Sequence, residues 1–506
     1  MPQKKERRVL VLLLCISANK TEISSRVITS IRPEEGRGRV TRSQTMLRKT
    51  RISNLPVELI REIFIRYNNL TRAPTLLLLV SRSWRDVALG LSSLWTTIHF
   101  WPEGNKKSVP PIDKTMHLPI VCISCAQLER ATKRAGTALV SITVNTNGIE
   151  ENVGVESWSS TRCQSLNIQH TYGNSVAFAR LFRNLANLKE LCMNNVVLND
   201  PHELTEFFEN IETCSPQLTK LEGTNTLLEA ICKRPALLQR LRRLIIDSHS
   251  YKRITLTIDH EELFAHLIVL EELAWPFDTP FGSQRIATNL RTLSLRSCSI
   301  LPNLSFPRLT SLTLLCDSHF RSDTEPIKLP LLTHFTFEGP WKWFAKLEAP
   351  NLLFLAISFW DSHYDKAPAP KALIRPRALE VTNKNDENVL IQLLRREWKD
   401  IEELSWVYRH MKMAMFGRAL VDALSGNKHQ GPLTQGLRRL TIKTIDPLLH
   451  GETTAAQTEA QLRKVASTRA KKGFALQSFR WVWDARLIYQ DGIPFMDPGE
   501  EGLVIV

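Results

Sequence analysis

LRTLSL (290–295), LTSLTL (309–314), LTHFTF (332–337) and LLFLAI (352–357) are four copies of one phrase, apolar-x-x-apolar-x-apolar, at steps of 19, 23 and 20 residues. Its last two apolar positions alternate with a more variable one, the period of a strand that turns one face inward. The leading residue, three positions earlier, brings the chain into that strand. Toward the N-terminus the phrase recurs at Leu139/Ile142/Val144, Cys163/Leu166/Ile168, Leu188/Leu191/Met193, Leu241/Leu244/Ile246 and Leu270/Leu273/Trp275. Toward the C-terminus it returns at Ile401/Leu404/Trp406, Leu437/Leu440/Ile442 and Leu476/Phe479/Trp481, with a degenerate unit at Leu379/Val381. No unit buries its own apolar residues, so stacked neighbours must supply the core.

Steps of mostly 19 to 30 residues follow the rhythm of leucine-rich repeats. The Leu290 unit continues with Cys298 and Ile300 as that pattern asks and most other units do not, so an irregular array is expected. Pro216, Pro307, Pro330 and Pro350 each stand two residues ahead of a leading leucine, where a missing N–H breaks no ladder bond. Between units, Pro201–Cys214, Asn388–Trp398 and Ala455–Lys472 have helical spacing, the last with Thr454 and Gln457 as a capping box and Gly473 as its stop. Helical connections toward both ends and a β-rich middle are expected. Loops are read at 102–115, 363–371 and 426–436.

Ahead of the array, residues 52–95 read as short amphipathic helices. Leu55 and Pro56 lead into Glu58, Leu59, Ile63 and Phe64; a second run carries Leu77, Leu78, Val80, Trp84, Val87 and Ala88 before Leu94 and Trp95. Offsets of three and four place these side chains on one face of each helix, with Pro56 and Glu58 suited to a first turn. Fewer than fifty residues are not expected to bury Leu59, Phe64, Trp84 and Trp95 among themselves, and surplus apolar surface points to a partner.

These residues resemble the F-box domain, which links a protein to a Skp-type adaptor in cullin-based ubiquitin ligases. Leu55-Pro56-x-Glu58-Leu59 looks like the family's opening, Ile63-Phe64 like its first-helix core, and Val80-x-x-x-Trp84-Arg85 with Leu94-Trp95 like its closing half. Ser81 stands where the family often has Cys. The run from Trp84 to His99-Phe100-Trp101-Pro102-Glu103 looks like the fungal-type set with leucine-rich-repeat-like C-terminal regions. The resemblance covers about a tenth of the chain. It implies that Leu55, Pro56, Glu58, Leu59, Ile63, Phe64, Val80, Trp84, Leu94 and Trp95 form the adaptor-binding set.

The 506 residues carry a net charge of +15, but residues 1–50 hold twelve Lys/Arg against four Asp/Glu, a net of +8. A basic arm, rather than a basic folded face, is the reading, and nucleic acid is not an expected partner. Lys4, Lys5, Arg7 and Arg8 precede an apolar run from Val9 to Ile16, the layout of a secretory signal. Eight residues are too few to span a bilayer, and no other segment approaches the ~20 needed. Export would part an F-box from its adaptor, so cytoplasm and/or nucleus is expected.

The nine cysteines are odd in number and scattered, with no disulfide framework. Cys122 and Cys125 form a lone C-x-x-C with His117 ahead and no second pair at zinc spacing. They are read inside one helix running from the apolar segment 118–125 to Gly136. No phosphate loop, H-E-x-x-H or G-x-S-x-G occurs, so no catalytic residue, metal, cofactor or small-molecule substrate is expected.

Residues between inward positions face outward from the strands, where repeat proteins bind. Arg296, His334, Glu338, Trp360, Arg439 and Arg480 are the candidate substrate-binding set, with Ser358, Lys443 and Asp484 beside them. The expected fold is α/β: a basic arm over 1–50, a small three-helix F-box over 51–100, a linker over 101–117, and an irregular leucine-rich-repeat-like solenoid over 118–506. The expected role is a non-catalytic substrate-recognition subunit that joins a Skp-type adaptor, and through it a cullin, to an unidentified protein target. The alternative is a non-ligase interaction scaffold whose basic arm contacts nucleic acid or anionic surfaces.

Overall fold

The computed structural model describes residues 56–71, 77–78, 80–100, 120–122, 125–145, 158–159, 162–172, 182–183, 185–197, 201–247, 260–277, 288–296, 306–315, 327–339, 347–359, 374–383, 387–396, 398–408, 418–426, 432–444 and 452–483. The basic arm, Leu55, Trp101, His117, Trp360 and Asp484 lie outside them. The chain is α/β and divides into two compact units between Leu218 and Thr219.

The first unit opens with helices α1 (Val57–Thr71) and α2 (Arg82–Leu89), a 3-10 turn (Ser92–Trp95) and strands β1 (Thr97–Phe100) and β2 (Ile120–Cys122). It continues with α3 (Cys125–Arg134), β3 (Val140–Asn145), β4 (Trp158–Ser159), β5 (Cys163–Tyr172), β6 (Phe182–Arg183), β7 (Glu190–Val197) and α4 (Pro201–Cys214). The main strands pair in parallel in the order β2-β1-β3-β5-β7, and β4 pairs with β6 apart from them.

Two readings change here. The apolar segment 118–125 is not the start of a helix: Ile120–Cys122 is a strand in register with Ile98–Phe100, and α3 begins only at Cys125. A β-branched pair, Ile120-Val121, that finds an open strand beside it gains a ladder as well as burial, which outweighs a weak helical pattern. Gly136 does end that helix, at φ 59°, as the αL residue that closes it. The second change is an additional copy of the phrase, Trp95-x-x-Ile98-x-Phe100, whose three apolar residues are all buried. Trp95 is thus the leading residue of the first strand as well as the end of the helical segment.

The second unit runs β8 (Lys220–Thr224), α5 (Thr226–Cys232), α6 (Pro235–Leu238), β9 (Arg243–Asp247), α7 (His260–His266), β10 (Glu272–Trp275), β11 (Thr292–Leu295) and β12 (Ser311–Leu315). Then come β13 (Ile327–Lys328), β14 (His334–Gly339), β15 (Leu347–Glu348), β16 (Phe354–Phe359), β17 (Ala378–Asn383), α8 (Glu387–Arg396), β18 (Glu403–Tyr408), α9 (Arg418–Ser425), β19 (Arg439–Thr444), α10 (Glu452–Lys471) and β20 (Ser478–Trp483). Eleven strands pair in parallel in the order β8-β9-β10-β11-β12-β14-β16-β17-β18-β19-β20, while β13 pairs with β15. Register aligns the repeated phrase across its middle: Leu293, Leu312, Phe335, Leu355 and Leu379 stand side by side, and all are buried. Among the described residues the stretch from Leu267 to Asn383 contains strands and turns only, the expected β-rich middle, with helices on either side of it in the sequence.

The phased prolines have a specific geometry. Leu218, Leu309, Leu332 and Leu352 donate their N–H to Ser215, Phe306, Leu329 and Ala349, closing four-residue turns in which each proline holds the second position. That is where a fixed φ near −65° fits and no N–H is required. Past each turn, one carbonyl of the preceding unit accepts two successive N–H groups: Arg291 from Thr310 and Ser311, Thr310 from Thr333 and His334, Thr333 from Leu353 and Phe354. This clamp holds each unit in step with its neighbour.

Candidate functional site

The described residues singled out from the sequence fall into two groups, one on the helical segment of the first unit and one on the strands of the second. On α1, Ile60, Phe64 and Tyr67 form the buried stripe, at offsets of four and three. Phe64 meets the Trp84 ring edge-on, with centroids 4.9 Å apart. Ser81 caps α2 by accepting the Trp84 N–H at 3.2 Å. Trp95 donates Nε1–H to the Ala88 carbonyl at the end of α2, at 2.9 Å, and the Arg134 guanidinium of α3 lies over its ring at 5.1 Å.

The ten residues of the first set therefore divide by position. Phe64, Trp84, Leu94 and Trp95 are buried inside the unit, and Val80 is half-buried. Pro56 and Glu58 are exposed in the first turn of α1; Leu55 lies outside the described residues. Leu59 and Ile63, at i and i+4, are 52% and 36% exposed beside the buried stripe, next to the exposed Glu62–Arg66 ion pair of 2.8 Å. Of the four large residues expected to exceed the segment's burying capacity, Leu59 alone does so. The others are buried: Phe64 and Trp84 pack on each other, and Trp95 meets the end of α2 and Arg134 of α3.

On the second unit, outward positions form rows across the strands. His334 is exposed, its Nδ1 2.9 Å from the Thr333 hydroxyl and its ring 6.0 Å from that of Phe354. Arg439 shares His334's row but lies four strands away, where Nη1 donates to Glu403 at 2.9 Å. Arg296 follows β11 and lies 3.7 Å from Asp247. Glu338 and Ser358 stand opposite each other on β14 and β16, both buried. Arg480 is exposed on β20. These side chains do not converge on a single centre. Sequence reading did not find the tightest pair on this face, Lys443 Nζ to Glu380 at 2.7 Å, because the two lie two strands and 63 residues apart.

Cys122 and Cys163 are buried free thiols. Burial pushes Cys163 up to about 12 and Cys122 up to about 11, the latter against the pull of Arg134 and Arg130. Among the described residues no three potential ligands gather, and no helix is long and apolar enough to cross a membrane. No protein-family model matches this chain, and no curated protein matches it.

Proposed function

We propose that the chain is the substrate-recognition subunit of a Skp-adaptor/cullin ubiquitin ligase: α1 and α2 form an F-box that docks on the adaptor, and the parallel-strand array is a leucine-rich-repeat-like receptor for a protein target. The observation that carries this reading is the Leu59–Ile63 pair, two large apolar side chains left in solvent by a helix that buries Ile60, Phe64 and Tyr67 through its neighbouring stripe. Docked on an adaptor, each would gain ~1.5–3 kcal/mol from burial. The chain itself performs no chemistry in this scheme; it holds the target where partner subunits transfer ubiquitin. Its place of action is the cytoplasm and/or nucleus, where the adaptor operates.

Mixing the full chain with a purified Skp-type adaptor across a salt series tests this. Apolar docking changes little between about 50 mM and 500 mM salt. Binding that collapses over that range, or that a nucleic acid captures in the adaptor's place, would point to the scaffold reading with a phosphate-binding arm.

A further inference from the structure

We infer that the turn side of strands β11 to β17 is a docking surface for an acidic peptide segment with a central leucine or phenylalanine. Two rows cross the sheet there. In the inner row, successive N–H to carbonyl bonds of 2.9 Å connect Arg291, Thr310, Thr333, Leu353 and Arg377. The outer row lies two residues earlier in each unit and contains Arg308, Leu331 and Arg375. Its neighbouring turns are fastened by Asn351, which donates to the Pro330 carbonyl at 2.7 Å.

Each row has an arginine toward each end and one leucine between them, with Thr310 and Thr333 in the inner row and Asn351 in the outer. Leu331 and Leu353 are 49% and 47% exposed, although an apolar side chain on a solvated turn gains nothing from its position. Arg291 and Arg308 bracket them on one side, Arg375 and Arg377 on the other, and all four are exposed. None of the four forms an ion pair with a described residue. Farther along the same row the carboxylates are already engaged: Glu271 with Arg242 at 3.1 Å, Glu402 with Arg438 at 3.9 Å. Glu380, three residues after Arg377, is engaged by Lys443 at 2.7 Å, and Glu348 lies in register with Lys328 on the separate β13–β15 pair.

The surface thus offers four exposed guanidinium groups around two leucines, Arg308 also donating to Asn289 Oδ1 at 3.4 Å, the complement of carboxylates flanking an apolar side chain. From Arg291 to Arg377 is four strand spacings, about 19 Å, the length of about six extended residues. An exposed leucine pair is not used by a nucleic acid backbone, so a peptide is the occupant these residues favour. The inference rests on the receptor reading only for the role of that peptide as a target; peptide binding is read on this chain alone and adaptor docking on α1, so either fails without the other.

The test is fluorescence anisotropy of the full chain with labelled octapeptide pools carrying Glu-Glu at both ends and Leu or Phe at one of the four central positions. Companion pools carry Lys-Lys ends, or acidic ends with alanine centres, and an eight-nucleotide single strand serves as a non-peptide anion. The acidic, apolar-centred pool is expected to bind at least about tenfold more tightly than each of the three, more weakly as salt rises. Arg291→Glu with Arg377→Glu, and separately Leu353→Ser, are expected to lower that affinity about tenfold or more, while Lys464→Glu on α10 leaves it unchanged. Equal binding of acidic and basic pools, tighter binding of the oligonucleotide, no binding of the acidic pool, or variants indistinguishable from the parent would each overturn the inference.

Discussion

Replacing Trp84 by alanine is expected to cost about 3–5 kcal/mol of folding free energy, concentrated in α1 and α2. The indole is buried against Phe64 where the two helices meet, so its loss opens a cavity there, while the backbone N–H that Ser81 accepts as the helix cap is kept. Against a typical domain stability of about 5–15 kcal/mol this is enough to unfold the helical pair locally. Hydrogen exchange checks it: amides of 57–71 and 82–89 should lose protection while those of β5 and β7 keep theirs. Undiminished protection in α1 would show that Trp84 does not hold the pair together. The result bears on function, because loss of adaptor binding by this variant reports a lost scaffold rather than a lost contact.

Replacing Arg469 by methionine is expected to cost about 3 kcal/mol or more, the second large effect. This guanidinium is fully buried on α10 and donates to the Leu424 carbonyl at 3.0 Å and to those of Leu433 and Thr434 at 2.9 Å. Burial pulls its ionisation below the usual arginine range, and it forms no ion pair with a carboxylate among the described residues. It satisfies the carbonyl end of α9 together with a turn in which Thr434, a non-glycine residue, holds φ 49°. Lys472 adds bonds to Ser425 and Gly426, at 3.2 and 2.8 Å. Methionine fills the volume and leaves three acceptors without these donors; lysine reaches fewer of them. A denaturant midpoint that does not move in Arg469→Met would refute this account of the C-terminal helices.

Arg469 also illustrates where sequence reading stops. A basic residue in the last turn of a helix that ends at Gly473 reads as a favourable charge near the dipole's negative end, and nothing local distinguishes a solvated side chain from one that reaches across 35 to 45 residues into another element. The repeat strands were legible because each is written in six residues, alternation after a leading apolar residue, with a phased proline ahead of four of the units. At Leu139 the same phrase misleads by one place, since Val140 is buried and Leu139 is 39% exposed. The helix at 201–214 was legible for the same local reason, and Ile120–Cys122 was not, because its partner Ile98–Phe100 had been counted with the helical segment.

Candidate sites were less legible than the fold. Spacing places Leu59, Ile63, Phe64 and Trp84 on inward or outward helix faces but does not say which neighbour covers them, and Phe64 and Trp84 are core while Leu59 and Ile63 are exposed. On the strands, outward position is fixed by register, whereas convergence is not: His334 and Arg439 share a row and remain four strands apart. The leucine and arginine rows at the turns escaped notice because they belong to positions that precede the strand pattern.

Adaptor binding by the double variant Leu59→Ser, Ile63→Ser tests the central proposal most directly. Both side chains are already in solvent, so the variant should unfold at the same denaturant midpoint as the parent, and the full chain should lose adaptor affinity by about a hundredfold or more, the ~3–6 kcal/mol of two buried aliphatic side chains. A variant that is equally stable and binds the adaptor as tightly as the parent, or a parent chain that does not bind it at all, would contradict the assignment of α1 as the docking helix of a ligase receptor.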